Sequence, residues 1–141
     1  GLDADDEGVL RKMSKSYDNC IYLNETPEET AQRIMGAFTT PSKMRKTDPG
    51  IPEGCAVCQF LRIYSPQWQT QWQEDREGVR GCMQNKKELI EALNETLRPI
   101  RDRRAAISDD DIEAILAAGA VKAREFAACT MDDVREAMGL R

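Results

Sequence analysis

The stretch Gln84–Arg104 reads QNKKELIEALNETLRPIRDRR. Leu89, Ile90, Leu93, Leu97 and Ile100 recur at helical spacing, with charged and polar residues filling the opposite side. A strand would alternate with period two, and this stretch does not. The spacing therefore predicts the longest helix of the chain over residues 84–104, with Pro99 expected to kink or split it.

The same period extends outward on both sides. Upstream, Ser65-Pro66 opens a helical pattern carrying Trp68 and Trp72 one turn apart, and Gly78 and Gly81 break it. From Pro52, the residues Val57, Phe60, Leu61 and Tyr64 share one helical face. Residues 39–54, TTPSKMRKTDPGIPEG, form a Pro- and Gly-punctuated basic loop. Thr26-Pro27-Glu28-Glu29 combines an N-cap, a proline at the first helical position and a capping-box glutamate. That helix is expected to run to about Phe38 and to bury Ile34, Met35 and Phe38. Residues 1–25 read as an irregular arm, with CIYL at 20–23 β-prone.

Downstream, Ser108 with Asp111 caps a helix expected to bury Ile112, Ile115 and Leu116 and to stop at Gly119. A short helix is expected over 120–128. A last one, capped by Thr130 with Asp133, is expected to end at Gly139. The fold expected is all-α: a helical bundle over residues 26–141, preceded by an irregular arm over 1–25.

Composition bounds the function. The chain has 141 residues, enough for a real core without disulfide or metal staples. Its formal net charge of -5 argues against non-specific nucleic-acid binding, so any such contact must use local clusters. No apolar run approaches the ~18–20 residues of a membrane span. No leader is evident, and the five cysteines, odd in number and irregular in spacing, fit reduced thiols, so a cytoplasmic protein is expected. The chain opens on Gly1-Leu2-Asp3 rather than Met, which reads as a fragment or a processed product. It contains no histidine. That removes Ser-His-Asp and Cys-His catalysis, imidazole acid-base work and most zinc sites. Chemistry here must rest on charge stabilisation and positioning.

One stretch can do that. Residues 11–19 read RKMSKSYDN, placing Lys12 and Lys15 three apart among Ser14 and Ser16. Two positioned ammonium groups suit a polyanion whose charge moves during reaction, above all a nucleoside triphosphate releasing pyrophosphate. Lysine carries a compact charge on a mobile stem, and the serine hydroxyls can donate to phosphate oxygens. Glycines are absent, so this is no backbone-amide phosphate cradle. The plainer reading is a solvated Lys/Ser loop ahead of a helix.

The full string KMSKS, residues 12–16, resembles the second signature of the class I aminoacyl-tRNA synthetases. The resemblance runs through essentially the whole chain. GLD at 1–3, RKMSKSYDNCIYL at 11–23, DPGIPEGCAV at 48–57, the 81–104 helix and GAVKAREFAACTMDDVREAMGL at 119–140 are similar to the C-terminal part of bacterial tryptophanyl-tRNA synthetases. The resemblance implies that tryptophan and ATP, with Mg2+, give tryptophanyl-adenylate and pyrophosphate, and that the amino acid passes to tRNA(Trp). It implies that Lys12 and Lys15 stabilise the leaving pyrophosphate and that Met13, Ser14 and Ser16 complete the ATP-binding loop. Asn19 would fix the loop's exit. Residues 26–141 would be the anticodon-binding domain, and a longer protein would carry the Rossmann catalytic domain with its histidine signature and pair as a homodimer. One departure is the insertion ADDEGVLR at 4–11, longer and more acidic than the family's usual link, which puts loop closure in question.

Other candidates carry two readings each. Arg98, Arg101, Arg103 and Arg104, and Lys43, Arg45 and Lys46, are either solvated surface or phosphate contacts to tRNA. Trp68 and Trp72 read as packing residues rather than a base-stacking platform. Some tryptophanyl synthetases hold an iron–sulfur cluster on four cysteines. Cys55 and Cys82 match two of those ligands, Asn85 stands where another would be, and Cys58 is an extra thiol. Cys55, Cys58 and Cys82 are read first as plain thiols, with a metal held by the three and a carboxylate as the lesser reading, and Cys20 and Cys129 as packing residues. The competing function is a non-catalytic tRNA-binding or accessory module that has kept the helical domain. A generic helical interaction domain is the third reading.

Overall fold

The computed structural model describes residues 1–5 and 7–140. Among them there are five α-helices and no strand; the one β-bridge joins Ala4 to Leu10. Two compact units divide the chain, Gly1–Arg101 and Asp102–Arg141.

In the first unit, helix α1 spans Pro27–Met35. Its start is set locally. The Thr26 hydroxyl accepts from Glu29 N–H at 3.2 Å, and the Glu29 carboxylate accepts from Thr26 N–H at 2.8 Å. The helix stops two to three residues earlier than expected. Gly36 is its C-cap, and the chain then turns so that Phe38 N–H donates to Leu2 C=O at 2.7 Å. Ile34 is buried as expected, but Met35 is exposed and Phe38 only half-buried; Ala37 takes the inward place. A 3₁₀ turn, Pro52–Gly54, leads into α2, Ala56–Tyr64, and α3 follows at Trp68–Arg76. Trp72 is buried with its indole N–H on the Cys58 carbonyl at 3.0 Å, and Trp68 meets it edge-on with centroids 5.5 Å apart. The pair is packing, as read. Gly78 closes α3 with φ +69°, and a Cβ there would fall 2.4 Å from the Thr47 carbonyl oxygen, so a side chain would be strained twice over.

Helix α4 runs Cys82–Ala105, 24 residues, with Pro99 inside it; the helix is neither split nor ended there. Leu89, Leu93 and Leu97 are buried, Ile90 packs against them, and Ile100 is exposed. The core joins this stripe to Leu2, Ile34, Ala37, Val57 and Leu61. Leu2 and Ile21 bring the N-terminal arm onto that core. CIYL forms no strand.

The second unit holds the end of α4 and helix α5, Asp109–Ala137. The Ser108–Asp111 capping box forms as expected. The expected stop at Gly119 and restart at Thr130 do not: α5 is continuous over 29 residues. Thr130 shows why. Its hydroxyl donates to the Phe126 carbonyl at 3.3 Å, the mid-helix back-bond of a threonine, rather than capping a new helix. Ile112, Ile115 and Leu116, expected to be buried, are exposed within this unit. No helix among the described residues is long and apolar enough to cross a membrane.

Candidate functional site

The lysine loop is organised by one buried side chain. Asn19 is 4 % exposed. Its Oδ1 accepts from Ser14 N–H at 2.7 Å, and its Nδ2 donates to Asp3 Oδ1 at 2.5 Å and to Lys12 C=O at 3.1 Å. Its own carbonyl accepts from Leu2 N–H at 3.1 Å. One amide thus pins both limbs of the loop and ties them to the arm that enters the core. Asn19, expected to fix the loop's exit, bonds to both limbs of the loop.

Between those pins, Lys15–Tyr17 form a 3₁₀ turn, closed by Asp18 at φ 50°, ψ 30°. Ser14 and Ser16 share a hydrogen bond between hydroxyls at 2.8 Å. Met13 is half-buried, while Lys12 and Lys15 are exposed. Neither lysine ammonium makes a hydrogen bond or ion pair among the described residues. Both remain available to an anionic ligand.

The neighbouring acids are engaged elsewhere. Arg33, from the last turn of α1, donates Nη1–H to Asp18 Oδ1 at 2.7 Å, pairs through Nε with Glu25, and lies over the Tyr22 ring at 5.0 Å. The Asp18 hydrogen bond leads in raising the guanidinium's pKa, with Glu25 adding to it against partial burial. Arg33 so connects the loop's C-terminal end to α1. Nothing in the sequence pattern singles it out, because it sits on an ordinary polar helix face.

The inserted acidic stretch folds on itself. Asp5 Oδ1 accepts from Glu7 N–H at 3.1 Å and Val9 N–H at 2.8 Å, and Gly8 sits at φ +80°. The bridge between Ala4 and Leu10 and the Arg11 N–H to Asp3 carbonyl bond at 3.2 Å bring the chain back. The described residues of this stretch therefore turn back on themselves beside the link. Asp6 lies outside the described residues.

The candidate tRNA contacts part company. Lys43 is 5 % exposed, and its ammonium donates to the carbonyls of Asp48 at 2.7 Å and Asp75 at 3.0 Å, beside Asp75 Oδ1 at 3.6 Å. Its charge is committed inside the fold, which corrects its reading as a phosphate contact. Arg45 and Lys46 are exposed. With Lys87 from α4 they line a groove of about 750 Å³ that also holds Met44 and Met83. Lys87 was missed because it reads as one more solvated position of α4. Arg98 pairs with Glu95 on the surface of α4. Arg101 is spent on structure, donating to Asn94 Oδ1 at 2.7 Å and to the buried Thr30 hydroxyl at 2.6 Å. Arg103 and Arg104, in the second unit, are exposed.

Helix α4 presents two polar residues on its buried side. Lys86 donates to the carbonyls of Met35 at 2.9 Å and Ala37 at 2.7 Å, satisfying the end of α1, and burial lowers its pKa. Asn85 donates to Asp75 Oδ1 at 2.9 Å. Their spacing from Leu89 and Leu93 places them on the inward face, which is the signal that could have found them. Among the described residues no group of three or more His, Cys, Asp or Glu could hold a metal ion.

With this geometry in view, residues 5–98 match the family described as tRNA synthetases class I (W and Y). The chain belongs to that family. It is similar to the tryptophan–tRNA ligase of Aquifex aeolicus, 40% identical over 135 residues that make up 92% of this chain and 34% of that protein. It is also similar to that of Thermotoga maritima, 36% identical over 137 residues, 92% of this chain and 41% of the relative. This class I synthetase chain thus spans roughly a third to two-fifths of the length of those curated relatives. In structure it resembles tryptophanyl-tRNA synthetase from Campylobacter jejuni complexed with ADP and tryptophan, with a TM-score of 0.80 and 24% identity over 94% of this chain and 42% of that one. At that identity the likeness speaks for the synthetase fold alone.

Proposed function

We propose that the chain is part of an ATP-dependent tryptophan–tRNA ligase, in which residues 1–25 supply the loop that receives the departing pyrophosphate and residues 26–141 form the helical, anticodon-binding domain. The observation that carries this reading is the Asn19-pinned loop with two ammonium groups that have no partner among the described residues. When the tryptophan carboxylate attacks the α-phosphate of Mg2+-bound ATP, negative charge collects on the β- and γ-phosphates as they leave. Lys12 and Lys15, without a carboxylate partner among the described residues, would meet that charge; Ser14 and Ser16 would donate to phosphate oxygens. Cations that gain most when the charge has formed lower the barrier rather than merely tightening binding. Arg45, Lys46 and Lys87 offer phosphate contacts for tRNA along their groove, with the two methionines as apolar floor for a base. Arg103 and Arg104 offer further phosphate contacts on the second unit.

The test is tryptophan-dependent ATP–pyrophosphate exchange in the longer protein that carries this chain. Lys15→Ala should cut the rate by ~10²–10³ with tryptophan affinity nearly unchanged. Equal loss in both would sink the leaving-group role. No exchange in any form, with tRNA(Trp) still bound, would favour the accessory-module reading.

A further inference from the structure

Two thiols bracket the first turn of α2, and a third, Cys82, shares a cavity with Cys55. Cys55 is the N-cap of α2, and its sulfur accepts the Cys58 N–H at 3.5 Å across the first turn. Cys58 is buried, and its sulfur receives the Asn85 side-chain amide at 3.6 Å. Cys82, opening α4, points its S–H at the Lys43 carbonyl, 3.9 Å away. A cavity of about 20 Å³, room for roughly one water, is lined by Lys43, Cys55, Asp75, Cys82, Asn85 and Lys86. Asn85 is 2 % exposed and its Oδ1 has no partner.

A Cys-x-x-Cys pair at a helix N-terminus has a known chemical bias. Backbone N–H groups and the helix dipole favour the thiolate of the first cysteine. Here the bias is visible. Cys55 is held down to about 7, first by the S–H of Cys58, against burial, then by the Cys58 N–H; the Asp75 carboxylate opposes. Cys58 is pushed the other way, first because its retained S–H donates a hydrogen bond to Cys55 and then by burial. Cys82 is raised by burial and by the Cys55 and Asp75 charges, with Lys43 and Lys86 opposing. Cys55 is partly buried against the core, whereas Cys58 is fully buried, so of the pair Cys55 is the one open to a small molecule.

We propose that Cys55 and Cys58 form an oxidisable dithiol that exchanges with low-molecular-weight disulfides of the glutathione class, Cys55 attacking and Cys58 resolving. The Cys55 thiolate attacks one sulfur of the small disulfide, forming a mixed disulfide and expelling one thiolate. The charge at Cys55 is then gone, and with it the main obstacle to ionising Cys58. Cys58 loses its proton to solvent, and its sulfur, steadied by the Asn85 amide, attacks Cys55 sulfur. A second small thiolate leaves and takes up a proton. The balance is one protein dithiol and one small disulfide giving one protein disulfide and two small thiols. The pair lies within one turn, so closing it needs no movement between helices. This site is independent of the lysine loop and does not rest on the ligase reading.

The test uses the reduced 141-residue chain and glutathione disulfide. Intact mass should fall by two hydrogens, and peptide mapping should place the link at Cys55–Cys58. Cys58→Ser should instead stop at a single glutathione adduct on Cys55. Cys82→Ser should change neither product. Because Cys58 is a core residue, the wild-type chain supplies a second measure that needs no variant: timed alkylation at neutral pH should label Cys55 about tenfold faster than Cys82. A Cys55–Cys82 link, adducts distributed evenly over Cys20, Cys55 and Cys129, or equal alkylation of Cys55 and Cys82 would each overturn the proposal.

Discussion

Replacing Lys43 by methionine separates a structural cation from a ligand-facing one. The Lys43 ammonium and the Asp75 carboxylate are 5 % and 3 % exposed and stand 3.6 Å apart. At an effective dielectric near 20, such a pair is worth about 4–5 kcal/mol of attraction, and breaking a buried pair from one side typically costs about 3–5 kcal/mol. Methionine keeps the length of the stem and removes the charge. Asp75 would then hold its carboxylate in the interior with the Asn85 amide, at 2.9 Å, as its remaining donor. The Asp48 carbonyl would lose its 2.7 Å bond, whereas the Asp75 carbonyl keeps Gly50 N–H at 2.8 Å. Lys43→Met should therefore destabilise the chain by about 3–5 kcal/mol, or roughly 15–30 °C in Tm for a unit of this size.

The assay is urea unfolding followed by circular dichroism, with tRNA binding measured in parallel on the folded variant. Adding Asp75→Asn removes the stranded charge, so the double variant should recover about 2 kcal/mol relative to the sum of the single changes. A loss below about 1 kcal/mol from Lys43→Met, additive with Asp75→Asn and accompanied by weaker tRNA binding, would refute the reasoning. It would make Lys43 an available cation of the groove that it lines with Arg45 and Lys46.

Three further outcomes are expected. Asn19→Ala leaves the Ser14 N–H and the Lys12 carbonyl without their partner; it should cost about 1–3 kcal/mol and raise hydrogen exchange selectively over residues 12–18, and unchanged exchange there would show that the loop is held by something else. Glu88 is shifted below its usual pKa: burial opposes this, but the hydrogen bonds from Arg80 and Gln84 outweigh it. A depressed carboxylate contributes stability that is present above its unfolded pKa of about 4.5 and lost as pH falls through the folded value. Glu88→Gln should flatten the acid side of the stability–pH curve below that point, and an unchanged slope would remove Glu88 from the account. Gly119 lies inside α5 with nothing near an added Cβ. Gly119→Ala should raise helicity and stabilise by about 0.5–1 kcal/mol; destabilisation would mean that the helix ends there after all.

What could be read in the sequence was whatever is decided within a few residues. The Thr26 and Ser108 capping boxes, the Trp68–Trp72 pair and the stripe Leu89–Leu93–Leu97 all depend on neighbours at fixed spacing, and all stand. Thr130 failed because a threonine hydroxyl serves equally as a cap or as a back-bond to the fourth residue before it, and only the path of the chain selects between them. Ile112, Ile115 and Leu116 form a sound amphipathic pattern, but a pattern cannot say what covers it. The burial of Lys43, Asp75, Asn85 and Lys86 was not legible, for a different reason. Each is a residue type that normally faces water, and each is inside because partners up to 51 residues away supply carbonyls and charge.

The lysine loop combines both kinds of information. KMSKS is local and was legible, but whether its charges are usable depends on where the surrounding acids go. Asp3 lies against Asn19 at 2.5 Å and Arg11 at 3.6 Å, Asp5 caps its own turn, and Asp18 and Glu25 are taken by Arg33. Had any of these carboxylates reached Lys12 or Lys15, the ammonium would enter the reaction already paired, and the charge leaving with pyrophosphate would have to displace it. Transition-state stabilisation is a difference between two states, so a cation satisfied in the resting loop loses much of its effect. Among the described residues, Asp3, Asp5, Asp18 and Glu25 are compatible with the proposed leaving-group role because Arg33, Asn19 and the Asp5 turn engage them elsewhere. Arg33→Ala should then free Asp18 and weaken the loop by a route that leaves both lysines in place: pyrophosphate exchange in the longer protein should fall by about tenfold, with Arg33→Lys restoring part of it through the single charge. Full activity in Arg33→Ala would show that the acids were never a threat to the lysines.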